Sequence, residues 1–274
     1  MENTVKKGLS GTALKWIALV LMTLDHIHYI FGFTGVVPDV FSMAGRLAAP
    51  LFLFCLIEGF SHTHDRKAYF LKIYLTSAGM TLMMFLLAGF ARRSDGFFPL
   101  NGMMTTFALL LIIWQGMDDL KARHYGKGVL ECLLPLIWPI FAMKLEQHLP
   151  DPGIWLMYSL VPTWGISPDA MLPFILTGMV MYALRNKRGW KVTAFVVMTF
   201  LYDFVYMGSM LARMMPDFAP VQMLTMYYEW FGIFSAPLML CYNGQRGRGM
   251  KKLFYVYYPA HIYIFYVISC LMLA

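Results

Sequence analysis

Apolar runs recur along the 274-residue chain at 12–33, 40–61, 69–91, 102–118, 128–144, 171–185, 190–208, 221–242 and 253–273. Polar, glycine or proline breaks separate each from the next. A helix needs about 20 apolar residues to cross the hydrocarbon core of a bilayer. The pattern therefore predicts an all-α, polytopic integral membrane helix bundle, with residues 1–274 forming a single transmembrane domain. A shorter run at 154–166, holding Pro162 and Gly165, either crosses or does not, giving nine or ten transmembrane helices.

The basic residues arbitrate between those counts. With nine crossings and a cytoplasmic N-terminus, 17 of the 22 lysines and arginines fall on the cytoplasmic side. Four (Arg92, Arg93, Lys144 and Arg213) fall outside, and Arg46 is embedded. If 154–166 crosses, the last two basic clusters change sides and the split becomes 10 against 11. Because cytoplasmic loops carry the excess of Lys and Arg, nine crossings are favoured, with 154–166 re-entrant or on the outer face. The implied location is the inner (cytoplasmic) membrane. The basic-then-apolar N-terminus is like a signal peptide, but it lacks a small-residue cleavage site, contains Asp25-His26 and leads into further spans. It is read as the first helix.

Composition agrees with the pattern. Hydrophobic residues make up 59% of the chain and charged residues 14%, where soluble domains carry about 25% charged. The net charge of +7 is explained by its segregation into loops, so no nucleic-acid partner is implied. Cys55, Cys132, Cys241 and Cys270 lie in or at the ends of apolar runs without metal-ligand or redox spacing. No metal is expected, and GxSxG and HExxH motifs are absent, which argues against a serine hydrolase or zincin.

Charges inside apolar spans are costly and mark function by default. They concentrate in the first two helices, where Lys15, Asp25, His26 and His28 are followed by Arg46 and Glu58. Folded antiparallel about 36–39, the two helices adopt a register in which paired numbers sum to roughly 73. Lys15 then faces Glu58, and Arg46 faces His26 and His28. Asp25 and His28 share a helix face, making them the better local pair. His26 has the proton affinity of a general base near neutral pH. Asp25 either neutralises Arg46 or serves the reaction, and Glu58 is either a partner for Lys15 or a second base.

Three further stretches carry candidate chemistry. Ser61-His62-Thr63-His64-Asp65-Arg66-Lys67, with Lys72, is cationic enough for an anionic cofactor, yet two histidines at i, i+2 do not make a metal site. The loop 242–252 holds Gly244, Gly247 and Gly249 with four cations, but Met250 stands where a phosphate-binding loop needs lysine. In the last span Tyr258-Pro259-Ala260-His261 adds another intramembrane histidine, which either joins the site or satisfies a carbonyl freed by Pro259. Asn101 marks a helix entrance, and Trp16, Trp138 and Trp230 read as interfacial anchors. The Pro-containing, acidic loops near 144–170 and 208–221 face outward in the nine-crossing order and are candidates for acceptor contact.

These residues resemble the conjugal-transfer pilin acetyltransferase (TraX-type) family. The matching pieces are Leu14-Lys15 with Asp25-His26, then Gly45-Arg46-Leu47-Ala48, Pro50-Leu51-Phe52 and Glu58-Gly59-Phe60. After them come His62-Thr63 with Arg66-Lys67 and Tyr69, then Tyr242-Asn243-Gly244, and Phe254-Tyr255 with Tyr258-Pro259 and His261. The family in turn resembles the membrane acyltransferase-three superfamily. The resemblance implies a multipass acyltransferase moving an acetyl group from acetyl-CoA to an amine or hydroxyl acceptor, such as a pilin N-terminus or an envelope molecule. It implies His26 as the catalytic histidine, assisted by Asp25, Arg46, Glu58 and His261. Lys15, Arg66, Lys67 and Lys72 would stand near the donor, although the superfamily's Arg-x-x-Arg pattern is not reproduced in full. The rival reading is a proton-coupled transporter that uses Asp25, His26 and Glu58 as a relay; the absence of an internal repeat weighs against it.

Overall fold

The computed structural model describes residues 7–100, 102–165, 171–249 and 251–273. Lys6, Asn101, Ile166 and Met250, and the side chains of Lys251 and Lys252, lie outside the described residues. Among those described there is no strand, only one isolated parallel bridge between Leu9 and Tyr242. The helices run α1 (Gly11–Phe31), α2 (Val40–Gly45), α3 (Ala48–His62), α4 (Arg66–Phe90), α5 (Met103–Lys121), α6 (Tyr125–Glu146), α7 (Asp151–Leu160) and α8 (Leu172–Ala183). They continue with α9 (Arg188–Thr199), a π-helical stretch (Phe200–Tyr206), α10 (Met207–Met214), the single turn α11 (Gln222–Thr225), a 3-10 stretch (Glu229–Ser235), α12 (Ala236–Leu240) and α13 (Lys251–Met272).

Six of the described helical segments are long and apolar enough to cross a membrane: Gly11–Thr34, Val40–His62, Arg66–Phe90, Tyr125–Glu146, Arg188–Met214 and Leu253–Met272. The other expected spans take different forms. The run 102–118 falls on α5, which starts at Met103, a 19-residue helix with most of its length buried. The run 171–185 holds α8, an apolar helix of only 12 residues. The run 221–242 is broken into α11, the 3-10 stretch and α12, with Pro237 in the first turn of α12. The short run at 154–166 overlaps the end of α7, whose 10 residues rise about 15 Å, half the hydrocarbon thickness.

Local chemistry sets the helix ends. The Ser10 hydroxyl accepts from the Ala13 amide to start α1, and the Asp65 carboxylate accepts from Ala68 to start α4. Gly35, at φ +71°, turns the chain after α1. Leu71, Leu75, Leu82 and Leu86 of α4 and Leu130, Leu134, Ile137 and Phe141 of α6 are all exposed. Such stripes would be an aggregation hazard in water and are lipid-facing surface in a bilayer, where each helix satisfies its own backbone. The chain is thus an all-helical membrane protein.

The described chain divides into two compact units. The first comprises Met1–Glu58 and Ala183–His261, the second Gly59–Tyr182 and Ile262–Ala274. In the first, α1 and α2 approach so closely that a Cβ on Gly45 would collide with the Asp25 side chain. In the second, Gly116 of α5 and Gly128 of α6 allow a similar approach. A Cβ on Gly116 would lie 2.8 Å from the Glu131 Cβ, and one on Gly128 2.8 Å from the Leu120 amide.

Candidate active site

In the first unit α1 and α13 bring two histidines together. His26 Nδ1 lies 2.6 Å from His261 Nε2, with ring centroids 4.9 Å apart, and both residues are buried. The other ring nitrogen of His261, Nδ1, lies 2.7 Å from the Tyr257 carbonyl oxygen. A carbonyl only accepts, so His261 Nδ1 carries a proton and donates it. In the neutral ring its Nε2 is then an acceptor, and His26 Nδ1–H must be the donor between the rings. The chain of bonds fixes the neutral His26 tautomer and leaves the lone pair on its Nε2. An outer partner that orients a histidine in this way is the usual means of setting which nitrogen reacts. Tyr257 stacks on His261 at 4.8 Å, and its hydroxyl meets the Thr23 hydroxyl at 2.9 Å, tying α13 back to α1. The carbonyl that His261 takes is that of Tyr257, not that of Tyr255, which Pro259 deprives of its helical donor.

One residue before His26, Asp25 faces α2. Arg46 Nη2 donates to Asp25 Oδ1 and to the Ser42 hydroxyl, which itself donates to Asp25. Arg46 Nη1 donates to both oxygens of Glu229, at 2.8 and 3.0 Å, and Nε donates to the Ser42 carbonyl. All three nitrogens of the guanidinium are thus engaged. The formal charge of the Asp25–Arg46–Glu229 group is one negative unit. Arg46 lies within coulombic reach of His26, as the antiparallel fold of the first two helices anticipates.

Three pairings differ from the sequence reading. His28 Nε2 meets Asp39 at 3.0 Å, not Asp25. Glu58 pairs with Lys191 of α9, whose side chain is 1% exposed and whose ammonium sits 4.3 Å from the centre of the Phe54 ring. Lys15 instead stands over the Phe254 ring of α13, at 6.0 Å. The common cause is register. Ser42, Gly45 and Arg46 all meet Asp25, and Cys55 meets Gly11. Paired numbers therefore sum to between 66 and 71, about one helical turn less than 73. The 3-10 turn at Gly32–Thr34 and the break between α2 and α3 take up the difference.

The glycine-rich basic loop closes the same unit against the N-terminal segment. Leu9 donates to the Cys241 carbonyl, Asn243 to Leu9, Gly11 to Gln245 and Thr12 to Arg246. The Thr12 hydroxyl also reaches the carbonyls of Arg246 and Arg248. Gly244 and Gly247 take positive φ, and a Cβ on Gly247 would lie 2.7 Å from the Ser10 hydroxyl. Arg188 stacks over Tyr242 at 5.3 Å. Arg246 and Arg248 are exposed on a loop whose backbone is pinned.

The cations at 66–72 belong to the second unit. Arg66 donates to Asp118 at 2.9 Å and to Gln115 at 3.1 Å and lies 4.6 Å from the Phe60 ring. Asp118 also accepts from Tyr182, which stacks on Trp114 at 4.8 Å. Lys67 and Lys72 are exposed, as are His62 and His64, and the described residues contain no cluster able to hold a metal.

Glu229, Lys191, Ser42 and Tyr257 escaped the sequence reading. The first could have been found, since an acid inside the run 221–242 is as costly as Asp25 in its own. Lys191 reads as an ordinary loop cation because it starts a span, and only the fold reveals its burial. Asp203, another intramembrane acid, lies in the π-helical stretch and interacts with Tyr227; such stretches are frequent at functional sites.

Fold and site together define an all-helical, multipass membrane protein with a buried histidine pair beside a carboxylate–arginine–carboxylate group. Residues 10–269 match the family profile described as "TraX protein". The chain belongs to the TraX family. It is also 26% identical over 263 residues to a protein of Dichelobacter nodosus described as "Probable fimbrial assembly protein FimC, serogroup H1", covering 92% of this chain and 93% of that one. No solved structure matches the chain.

Proposed function

We propose that the protein is a membrane acetyltransferase that uses acetyl-CoA as donor and an amine or hydroxyl of a pilus subunit or other envelope molecule as acceptor. The observation that carries this reading is the bond chain Tyr257 carbonyl–His261–His26, which holds a lone pair on His26 Nε2 inside the membrane. Family membership and the fimbrial-assembly name of the Dichelobacter relative support the acceptor class.

In the proposed reaction His26 Nε2 takes a proton from the acceptor nitrogen or oxygen as that atom attacks the thioester carbonyl. The tetrahedral adduct then expels the CoA sulfur, and the imidazolium returns the proton to it, giving the acetylated acceptor and CoA thiol. A base so placed contributes about 10²–10⁴-fold. With all three guanidinium nitrogens engaged, Arg46 serves as an electrostatic and positioning residue, and no oxyanion contact is assigned to it. His261 is a positioning residue that fixes the tautomer. Glu58, tied to Lys191, supports the local fold and is not needed as a second base.

For the donor phosphates we favour Lys15, Arg188, Arg246 and Arg248 in the first unit, because the loop bearing the last two is pinned with its cations free to turn outward. Arg66, Lys67 and Lys72 are the family-derived candidates, and in Arg66 a phosphate would have to displace Asp118. The topology that suits a cytoplasmic donor is the nine-crossing order in the inner membrane with the N-terminus inside.

The test is direct. Purified protein in vesicles is incubated with acetyl-CoA labelled in the acetyl group and a peptide bearing a free N-terminus. Label on the peptide supports the reading. Label remaining wholly on CoA with every amine and hydroxyl acceptor tried refutes it.

A further inference from the structure

The second unit contains an open cavity of about 380 Å³ lined by α4, α5, the end of α6, α7 and the segments before α5 and after α7. That volume falls within the roughly 300–1,000 Å³ of small-molecule sites. Six of its lining residues, from Glu146 to Thr163, lie in the stretch near 144–170 that the sequence marks for acceptor contact. Met84, Thr105 and Thr163 are buried in its lining, which also includes Trp155, Tyr158, Glu146 and Asp151.

Most of the side-chain hydrogen-bonding atoms of this lining are oxygens. Tyr158 gives its hydroxyl proton to Glu146 at 2.6 Å, Thr81 gives its own to the Ser77 carbonyl, and Thr163 gives its own to the Val161 carbonyl. Those protons are spent within the wall. With the Thr105 hydroxyl, which pairs with that of Ser77, and the two carboxylates, these hydroxyls supply oxygen lone pairs beside the rings of Trp155 and Tyr158, and the Trp155 indole N–H is a donor among them. A primary ammonium is the complementary group, with three donors, no acceptor and a charge attracted to ring faces. Neither lysine nor arginine lines the space.

We propose that this cavity binds a primary ammonium carried on an apolar body. Its role as the place where the acceptor amine is captured rests on the acetyltransferase reading; the binding itself does not. Carboxylates keep a bound amine protonated and hence without the lone pair that attacks a thioester, so the cavity is assigned capture, and deprotonation belongs to His26.

The experiment measures binding of phenethylamine to the full-length protein in lipid nanodiscs by calorimetry, without acetyl-CoA. Phenethyl alcohol, with the same ring and no charge, should bind at least about 10-fold more weakly, as loss of a charge-assisted bond predicts. Glu146→Gln keeps an acceptor for Tyr158 and, with Asp151→Asn, should weaken the amine by about 10-fold while leaving the alcohol unchanged. A peptide with a free N-terminus should compete, and its N-acetylated form should not. Equal binding of amine and alcohol in the wild-type protein, or indifference of the amine to both substitutions, would overturn the proposal. Competition by phosphatidylethanolamine in the nanodisc but not by the peptide would overturn the acceptor assignment. His26→Ala should leave the binding intact, so failure of acetyl transfer and failure of capture are read separately.

Discussion

Replacing His261 with Phe isolates the tautomer argument. The substitution keeps a flat ring to stack on Tyr257, at 4.8 Å in the native protein, and removes the acceptor 2.6 Å from His26 Nδ1. Two outcomes then compete at the buried His26. Either Nδ1–H stays and is unsatisfied, at a cost of about 1–3 kcal/mol, or the ring moves its proton to Nε2 and loses the reactive lone pair. Since about 1.4 kcal/mol is a factor of ten in rate, the loss in kcat should be on the order of 10–10²-fold. His26→Ala should cost more, about 10²–10⁴-fold, because it removes the base itself. His261 is argued to act through His26, so adding the second substitution to His26→Ala should cost nothing further. The assay is the initial rate of acetyl transfer in vesicles, with thermal melting of each variant as the control for folding. A wild-type rate in His261→Phe, or losses that add in the double variant, would refute the reasoning.

Other outcomes follow from the same geometry. Glu58→Gln strands the ammonium of Lys191, whose side chain is 1% exposed, and should destabilise the protein by about 3–5 kcal/mol in a detergent melt, with Lys191→Met restoring much of the loss in the double variant. Gly45→Ala drives a Cβ into the Asp25 side chain, so it should lower both the melting temperature and activity, whereas Gly35→Ala, with open space around it, should bear only the strain of its positive φ. Arg246→Ala with Arg248→Ala should raise KM for acetyl-CoA and leave kcat within a factor of two or so, because phosphate contacts of this kind bind ground and transition states alike.

Much of the site could be read along the chain, and what could not has a physical origin. Asp25, His26 and Arg46 announce themselves because charge in an apolar run is expensive, and Arg46 does meet Asp25. The buried state of His26 follows from the same rule. The partners that complete the site lie far along the chain: Glu229 is 183 residues from Arg46, and His261 is 235 from His26. A helix face can be drawn from sequence, but no periodicity tells which distant helix it meets. Register failed for a local reason. A hairpin drawn with ideal helices has no place for the 3-10 turn after α1 or the break between α2 and α3, and a shift of one turn is enough to give His28 to Asp39 and Glu58 to Lys191. The run 221–242 looks like a span by hydropathy. Its Glu229 bonds to Arg46, and Gly232 lies against the Arg46 carbonyl and Pro50, so the backbone there runs as short turns.

The measurement that bears most directly on the histidine pair is single-turnover acetyl transfer from acetyl-CoA to a free peptide amine by wild-type protein and His26→Ala in the same vesicles. The account predicts that His26→Ala, folded and still able to bind acetyl-CoA, forms acetylated peptide about 10²–10⁴-fold more slowly than the wild type. An undiminished turnover in that variant would contradict it.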